Sequence, residues 1–317
     1  MIPVDVRYPI LPHFNFTRKE NDWLNRRTAL MSEKEKILFN GALELRRPQT
    51  MAEVINLAVQ PDCFEALYPA DSRRELGRFV ARYMREEYGE FVHLPKKDVG
   101  IIFQKGRSGA FVAVNTCEGR GAYVTQEAPL RPLYDGTNLE ALLSEDYRVR
   151  FRLSSPDCPE GVWVCLPDHS GDNEGCPDEL AIALDSLDAV ALEECTLLKV
   201  QCALPGLGDI TGQYAGDLEK LIRDGNNLGF VLEEQWQGAP HAMERFLAAL
   251  EYEDCTRLDT ALDISQNLDC YDFLPPGAEQ AGAGPEMQAT EHGHIRRNGR
   301  PFFYEHSQPP QGPNLTM

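Results

Sequence analysis

The sequence predicts an α+β protein built as an elongated chain of small domains, in which helical-bundle modules alternate with small antiparallel sheets. Three observations support this fold class. Helix-start signals precede the helical segments near the N-terminus. Short apolar runs separated by glycine-rich turns follow them, as expected for strands. One helical stretch then recurs late in the chain with matching apolar positions, which indicates a duplicated module.

The first helical module is predicted over residues 1–70, with a strand at Val4–Leu11 followed by three helices. Each helix begins with a hydroxyl residue that is followed three positions later by glutamate. These pairs are Thr17 with Glu20, Ser32 with Glu35, and Thr50 with Glu53. In such a capping box, the hydroxyl and the carboxylate satisfy backbone N–H groups that have no partner within the helix.

A helix and a small sheet are predicted over residues 71–128. Apolar side chains at helical spacing indicate a helix at Ser72–Tyr88. Three short apolar runs predict strands, at Val99–Phe103, Ala110–Val114 and Ala122–Thr125. Residues 129–147 are predicted to be a linker, since two prolines and the turn dipeptide Asp135-Gly136 fall within them.

A mixed α/β sheet domain is predicted over residues 148–205. Its elements are strands at Arg148–Leu153, Val162–Leu166 and Cys195–Cys202, and a helix that starts near Pro177 and continues through Leu180–Leu187.

A second helical module, which is acidic, is predicted over residues 206–278. Its helices are Asp217–Asp224, His241–Glu253 and Arg257–Asn267. Residues 279–317 are rich in glycine, proline and glutamine and predict a flexible tail, with a hairpin of His294–Arg297 and Pro301–Tyr304 around Asn298-Gly299.

The internal repeat relates the two helical modules at a constant offset of 207 residues. GALELRRPQTMAEVINLAVQPDCFEAL, from Gly41, aligns without gaps with AALEYEDCTRLDTALDISQNLDCYDFL, from Ala248. The apolar positions agree, whereas Arg46, Arg47 and Asn56 become Glu253, Asp254 and Asp263. Because the apolar pattern is retained while the charges change, the two copies are expected to share a fold and to differ in surface potential.

Charge is distributed unevenly along the 317 residues, whose net charge is −19. Residues 1–150 contain 22 basic and 21 acidic residues, whereas 151–278 contain 6 basic and 25 acidic residues. The acidic stretch keeps a full apolar pattern, so it predicts a folded surface of one sign rather than a disordered tail. Such a surface repels nucleic acid and membranes and attracts basic sites.

The compartment predicted for this chain is the cytoplasm. The sequence contains no run of eighteen apolar residues and no secretory signal at its start, and its nine cysteines are scattered singly. Scattered cysteines without a secretory signal are typical of a reducing environment.

No cofactor, metal or enzymatic activity is predicted. One acidic cluster suggests calcium, at Asp168, Asp172, Glu174, Asp178 and Glu179, but its spacing differs from the EF-hand loop and favours a solvated loop. One mixed cluster suggests zinc, at Cys158, Cys165, His169 and Cys176, but it lacks closely paired ligands. The seven histidines fall in no recognisable nucleophile–base context.

Several segments resemble ArdA-type antirestriction proteins. The run from Trp23 to Phe91, with its Asp62-Cys63 step, and the later Ser108-Gly109-Ala110-Phe111 resemble that family's middle and last domains. YRVRFRLSS, EGVWVCLP and CTLLKVQCALP resemble its first domain, and LDISQNLDCYDF resembles strings in the long ArdA-like proteins of gut-bacterial mobile elements. The order of domains here is permuted and one module is doubled.

The resemblance implies an acidic DNA mimic that competitively occupies the DNA-binding cleft of a type I restriction–modification enzyme, with homodimers as the usual assembly. The alternative is a non-catalytic protein-interaction module of a mobile element that binds another basic DNA-binding or defence protein. Neither hypothesis requires the protein to contact nucleic acid or a membrane. The near-neutral first half departs from the charge expected of a full-length mimic.

The acidic residues expected to form the partner-binding surface lie in the second half of the chain. They are Asp178, Glu179, Asp185, Asp188, Glu193, Glu194, Asp217, Glu219, Asp224, Glu233, Glu234, Glu244, Glu251, Glu253, Asp254, Asp259, Asp263, Asp269 and Asp272.

Overall fold

The computed structural model confirms the α+β class, with helices and small three-stranded antiparallel sheets. It describes residues 15–113, 120–142, 149–172, 178–204, 207, 217–278 and 286–307. The predicted strand Val4–Leu11 lies outside these residues. No helix in the described ranges is long and apolar enough to cross a membrane.

The helices are α1 (Arg18–Leu30), α2 (Glu33–Arg46), α3 (Met51–Ala58), α4 (Arg73–Tyr83), α5 (Arg85–Tyr88), α6 (Lys96–Gly106), α7 (Leu139–Leu142), α8 (Glu179–Leu187), α9 (Leu218–Gln237), α10 (Ala242–Tyr252) and α11 (Leu258–Gln266). The strands are β1 (Phe64–Leu67), β2 (Gly109–Ala113), β3 (Gly121–Gln126), β4 (Val149–Ser154), β5 (Val162–Leu166), β6 (Thr196–Cys202), β7 (Tyr271–Leu274), β8 (Gln288–Thr290) and β9 (Gly293–Arg297).

The chain divides into two compact units. Unit 1 comprises Met1–Glu145, Arg152–Val164 and Asp168–Leu198, and unit 2 comprises Asp146–Phe151, Cys165–Pro167 and Lys199–Met317. This division differs from the predicted boundaries, because the segment predicted as one sheet domain, 148–205, contributes to both units. In unit 1, part of the acidic segment is packed with the near-neutral N-terminal half of the chain.

The first three helices begin where the capping boxes predict. Thr17 and Ser32 each accept a hydrogen bond from the backbone N–H three residues later, and the glutamate there bonds back to the cap. The third box is incomplete. Thr50 Oγ1 accepts from Glu53 N, but the Glu53 carboxylate accepts from Gln49 N rather than from the cap.

The predicted strand at Val99–Phe103 is wrong, because these residues belong to helix α6. Val99 and Phe103 are four residues apart and fully buried on one side of that helix. The helix is held against α4 by two glycines. A Cβ atom added at Gly77 would lie 1.6 Å from Lys96 O, and one at Gly100 would lie 2.0 Å from Arg73 O. The two backbones are therefore in contact, which periodicity alone does not reveal.

The predicted helix Ser72–Tyr88 is interrupted at Met84, where the backbone leaves the helical region and α5 begins. Beyond α6, strands β2 and β3 lie where strands were predicted, at Ala110–Val114 and Ala122–Thr125, in the described residues. The sheet has the order β1-β3-β2, with Phe64 opposite Gln126 and Gly109 opposite Thr125.

The predicted linker, 129–147, is packed on the first module in its described part. Gln60 Nε2 donates to Arg131 O and Gln60 Oε1 accepts from Arg131 N, both at 2.9 Å. Asn56 Oδ1 accepts from the backbone N–H groups of Leu133 and Tyr134. The Tyr134 ring is buried in the core of this module. The segment therefore returns over α3 and is part of the fold.

The central elements follow the prediction closely. Strands β5, β4 and β6 form a sheet in the order β5-β4-β6. Helix α8 begins at the N-cap Asp178, whose side chain accepts from Leu180 N, and its Ile182 is fully buried in the same core cluster as α2. The predicted helix start at Pro177 lies outside the described residues.

Unit 2 contains α9, α10, α11 and the sheet β7-β9-β8. Helix α9 has 20 residues, far longer than the predicted Asp217–Asp224. The predicted tail hairpin is wrong in its pairing. Strand β9 pairs with β8 and with β7, whereas Pro301–Tyr304 is not a strand and instead returns over α11.

The repeat is confirmed in three dimensions, and it extends beyond the aligned sequence. Elements α2, α3 and β1 correspond to α10, α11 and β7 at an offset of 207, and both sheets place the last strand between the other two. The return segments also correspond. Asn267 exchanges two hydrogen bonds with the backbone of Phe303, as its counterpart Gln60 does with Arg131.

Candidate protein-binding surface

The predicted acidic surface is only partly a surface. Ten of its nineteen residues are exposed: Asp178, Asp188, Glu193, Glu194, Asp217, Glu219, Glu234, Glu251, Asp254 and Asp269. Five are half-buried: Asp185, Glu233, Glu244, Glu253 and Asp272. Four are buried, which corrects their assignment to a partner-binding surface: Glu179, Asp224, Asp259 and Asp263.

Asp263 binds the backbone of a return segment, as Asn56 does at the corresponding position of unit 1. Its Oδ1 accepts from the backbone N–H groups of Glu305 and His306, and its Oδ2 accepts from Ser307 N at 2.9 Å. Burial opposes ionisation of this side chain, but the Ser307 hydroxyl and these N–H groups outweigh it and lower the Asp263 pKa. The carboxylate therefore holds the return segment of unit 2, as the Asn56 amide does in unit 1.

The other buried carboxylates are also satisfied internally or enclosed. Asp224 pairs with Lys220 one turn earlier on α9. Asp259 accepts two hydrogen bonds from the Arg257 guanidinium, at 3.0 and 2.8 Å, next to the start of α11. Glu179 is the first residue of α8 and is enclosed against α2.

Several half-exposed acids are neutralised by arginine. Asp185 pairs with Arg120 at 3.3 Å and accepts from the Tyr68 hydroxyl at 2.6 Å. Glu253 accepts from Arg297 Nε at 2.6 Å and from the Tyr271 hydroxyl at 2.9 Å. Asp272 pairs with Arg296, and the exposed Asp269 with Arg300. These side chains contribute less to the external field than their number suggests.

Five exposed acids neither form an ion pair nor accept a hydrogen bond within the described ranges: Asp188, Glu193, Glu219, Glu234 and Asp254. Asp188 and Glu193 follow α8 in unit 1, Glu219 and Glu234 lie near opposite ends of α9, and Asp254 follows α10. Within the described residues, these are the carboxylates of the predicted surface whose charge is not offset by an internal partner.

Both units carry negative charge, although the sequence suggests one neutral and one acidic half. Unit 1 contains 31 acidic and 21 basic residues, a net charge of −10, and unit 2 contains 19 acidic and 10 basic residues, a net charge of −9. The charges of the units differ from those of the two halves of the chain because the acidic segment 168–198 belongs to unit 1. The neutral first half is therefore not a separate neutral body.

A polar cluster joins α2 to the start of α8 in unit 1. The Lys34 ammonium donates to Asp168 at 3.1 Å, and Asp168 also accepts from the N–H of Glu179. Burial raises the pKa of Asp168, but Lys34 and backbone N–H groups outweigh it, so this pKa is below its usual range. Asp178 is exposed as a residue, but the protein around its carboxyl removes part of the hydration of that group, and this desolvation together with the neighbouring Asp168 raises its pKa.

Glu179 completes this cluster. Its Oε1 accepts from the Ser32 hydroxyl at 3.0 Å, whereas its Oε2 is buried without a hydrogen-bond partner. Burial raises the pKa of Glu179 to about 8, and the repulsion of Glu35 adds to this, while the attraction of Lys34 opposes it. The cluster joins the start of α8 to α2, with Asp178 at its exposed edge.

An open groove of about 640 Å³ also lies in unit 1, lined by Arg46, Arg107, Ser108 and Glu127 among others. None of the carboxylates with shifted pKa values described above lines this groove. In the described part of the chain, no three His, Cys, Asp or Glu side chains are grouped to hold a metal ion. Glu174 and Cys176, named in the metal hypotheses, lie outside that part.

Exposed apolar side chains beside the acids were not predicted as site residues. Val190, between Asp188 and Glu193, is 90% exposed, and Trp236, near the end of α9, is 57% exposed. Of the other tryptophans, Trp23 and Trp163 are buried. The sequence did contain a signal that Trp236 is exposed. It follows two glutamates and precedes Gly-Ala-Pro, which indicates a position near the end of a helix.

Comparison with known proteins gives no identification: no family model, no curated protein and no solved structure matches this chain.

Proposed function

We propose that this protein is an acidic decoy that occupies the DNA-binding cleft of a basic protein. The observation that carries the proposal is the set of exposed carboxylates without ion pairs, which occurs in both units together with net charges of −10 and −9. A surface of one sign attracts basic clefts over distances of about 10 Å at moderate salt.

The amount of charge is adequate for this role. B-DNA carries about one charge per 1.7 Å of axis, so a ten-base-pair turn carries roughly twenty phosphates. The net charge of −19 is of the same size. A cleft lined with lysine and arginine would gain electrostatically from such a ligand, and no sequence-specific chemistry or turnover is required.

The resemblance to ArdA-type antirestriction proteins suggests the target. On that basis the partner is a type I restriction–modification enzyme, and the compartment is the cytoplasm, where such enzymes act. The decoy itself contacts no nucleic acid and no membrane, and homodimers would extend its acidic surface.

A competition experiment tests the proposal. The protein is titrated into a type I methyltransferase bound to labelled DNA, and release of the DNA is followed at low and moderate salt. We expect stoichiometric release that weakens as salt increases, because exposed charges are screened. Failure of folded protein to release DNA from several such enzymes would contradict the proposal.

Two matched variants make the test specific. In one, the five exposed acids that have neither an ion pair nor a hydrogen bond, Asp188, Glu193, Glu219, Glu234 and Asp254, are changed to amides. In the control, five exposed acids of the N-terminal half are changed in the same way: Glu44, Asp62, Asp71, Glu86 and Glu90.

Both variants lose five charges, so a general charge effect would weaken them equally. At about 0.5 kcal/mol for each exposed contact, the first variant loses about 2.5 kcal/mol, or about 70-fold in affinity. The control is expected to lose much less. Equal losses would show that the acidic surface defined above has no special role.

A second candidate is a protein-interaction module that recognises one specific partner. The exposure of Val190 between Asp188 and Glu193 favours it, since an apolar side chain amid charges adds nothing to imitation of a phosphate backbone. Under this hypothesis, Val190→Ser abolishes binding to the partner while DNA competition is unaffected. Loss of DNA competition in Val190→Ser would instead assign Val190 to the decoy surface.

A further inference from the structure

The open groove of unit 1 has a positively charged lining. Its walls are the end of α2, the end of α6 with the two residues after it, and the end of β3 with the start of the return segment. The charged residues of the lining are Arg46, Arg107 and Glu127, that is, two cations and one acid. In a protein with a net charge of −19, a groove of this sign favours an anionic ligand.

Arg46 is the cation of this groove whose side chain has no internal partner within the described residues. Arg107, in contrast, lies 3.5 Å from Glu87 and 3.8 Å from Glu65. The acid of the lining, Glu127, accepts a hydrogen bond from a neighbouring threonine hydroxyl at 2.7 Å. The guanidinium of the exposed Arg46 is therefore available to a ligand, with its N–H groups arranged in a fixed fork.

The repeat shows which side chains stand at this place in unit 2. Arg46 corresponds to Glu253 at the offset of 207. Gln126 corresponds to Arg297, because each lies opposite the first residue of its module's first strand. Arg297 Nε donates to Glu253 at 2.6 Å. Two positions that line the groove in unit 1 are thus joined by an ion pair in unit 2.

Unit 1 has neither the acid of this pair nor the donors that serve it. In unit 2, Glu253 also accepts from the Tyr271 hydroxyl at 2.9 Å, whereas Phe64 at the corresponding position has no hydroxyl. A cation therefore stands where unit 2 has the acid, and an amide stands where unit 2 has the cation. An oxyanion bound beside Arg46 would restore a guanidinium–oxyanion pair at this place, with the acid supplied by the ligand.

We propose that this groove binds a small ligand through a carboxylate or phosphate group. The Arg46 guanidinium pairs with the oxyanion, since its planar fork matches both kinds of group. The Ser108 hydroxyl, which has no hydrogen-bond partner within the described residues, adds a donor in the same groove. The volume of about 640 Å³ is that of a small-molecule site. This binding site goes beyond the proposed decoy function and does not depend on it.

The test uses two probes, pyrophosphate and citrate, which distinguish a phosphate from a carboxylate as the recognised group. Each is titrated into the full chain by isothermal calorimetry at constant ionic strength. The variants are Arg46→Gln and, as the matched control, Arg47→Gln. The control removes the same charge from the next residue, which is also exposed but does not line the groove. Thermal unfolding verifies that each variant folds.

We expect at least one probe to bind at millimolar or lower concentration, and Arg46→Gln to weaken that binding by about tenfold or more. Arg47→Gln should bind as the wild type does. Binding of pyrophosphate alone would assign the site to phosphate, and binding of citrate alone would assign it to carboxylate. No binding of either probe would overturn the proposal. So would wild-type affinity in Arg46→Gln, or equal losses in the two variants, since the effect would then be one of general charge.

A double variant tests the comparison with unit 2 directly. Arg46→Glu combined with Gln126→Arg gives unit 1 the side chains that form the ion pair in unit 2. We expect this double variant to lose probe binding and to unfold at a higher temperature than Arg46→Glu alone, because the two introduced side chains pair with each other. A double variant that binds the probe as tightly as the wild type, or that is no more stable than Arg46→Glu, would contradict the inference.

Discussion

Replacing the buried glutamate at the start of α8 should change how the stability of the protein depends on pH. In Glu179→Gln, the amide oxygen can still accept from Ser32 Oγ, and the amide NH₂ occupies the place of the unpartnered Oε2. Glutamine therefore imitates the protonated form of Glu179. The wild type, in contrast, must either keep its proton or bury a charge.

The structure gives the size and sign of this effect. The folded pKa of about 8 lies above the ordinary value of 4.5. A raised folded pKa contributes stability that is fully present below the unfolded pKa and is lost as pH rises through the folded pKa. Relative to Glu179→Gln, the wild type should lose about 1.4 kcal/mol per pH unit between the two pKa values, or about 3.5 kcal/mol in total from pH 5 to pH 8. Relaxation of the buried site toward water reduces this value.

Urea unfolding of both proteins at pH 5, 6, 7 and 8 measures the difference. The comparison cancels the titration of groups that do not interact with Glu179. Glu193→Gln, at an exposed position, is the control and should change stability by less than about 0.5 kcal/mol at every pH. A difference between Glu179→Gln and wild type that is constant from pH 5 to pH 8 would refute the reasoning.

Two further predictions concern packing and the return segments. Gly77→Ala and Gly100→Ala should each destabilise by about 3 kcal/mol or more, since the added Cβ meets backbone oxygen, whereas Gly89→Ala meets nothing within 4 Å and should be nearly neutral. Equal unfolding midpoints for the three variants would contradict the contact of α4 with α6. Gln60→Ala and Asn267→Ala should each destabilise by about 2 kcal/mol, because both leave a return segment with unpaired backbone groups. Hydrogen exchange should then rise at Arg131 or Phe303, respectively, and unchanged exchange would show that these bonds do not hold the segments.

Local signals predicted the helix starts well. Thr17, Ser32 and Thr50 each accept from the backbone N–H three residues later, because the capping interaction needs only residues adjacent in sequence. The same logic failed at Val99–Phe103, where a short apolar run fits a buried helix as well as a strand. The close contact between α4 and α6 at Gly77 and Gly100 favours the helix. This contact joins residues that are distant in the sequence, so local patterns do not reveal it.

The sequence predicted that the candidate surface would be rich in acidic residues, but not which of those residues would be exposed. In the sequence, Asp263 and Glu253 look like the other acids. In the structure, Asp263 holds the return segment, and Glu253 accepts hydrogen bonds from Arg297 and Tyr271. Their partners lie 18 to 44 residues away along the chain. Trp236 lies beyond the predicted helix Asp217–Asp224, and only the structure shows that it belongs to α9 and is exposed.

By itself, the sequence determined the α+β class, the capping of the first helices, and the duplication of one module at an offset of 207. These follow from local hydrogen bonding and from apolar periodicity, which are properties of neighbouring residues. Only the tertiary structure decided that the segment 129–142 and the residues 301–307 are return segments, that both units are negatively charged, and that four predicted surface acids are buried. Each of these depends on which distant residues meet, because burial, ion pairing and net charge of a compact unit are set by packing rather than by order along the chain.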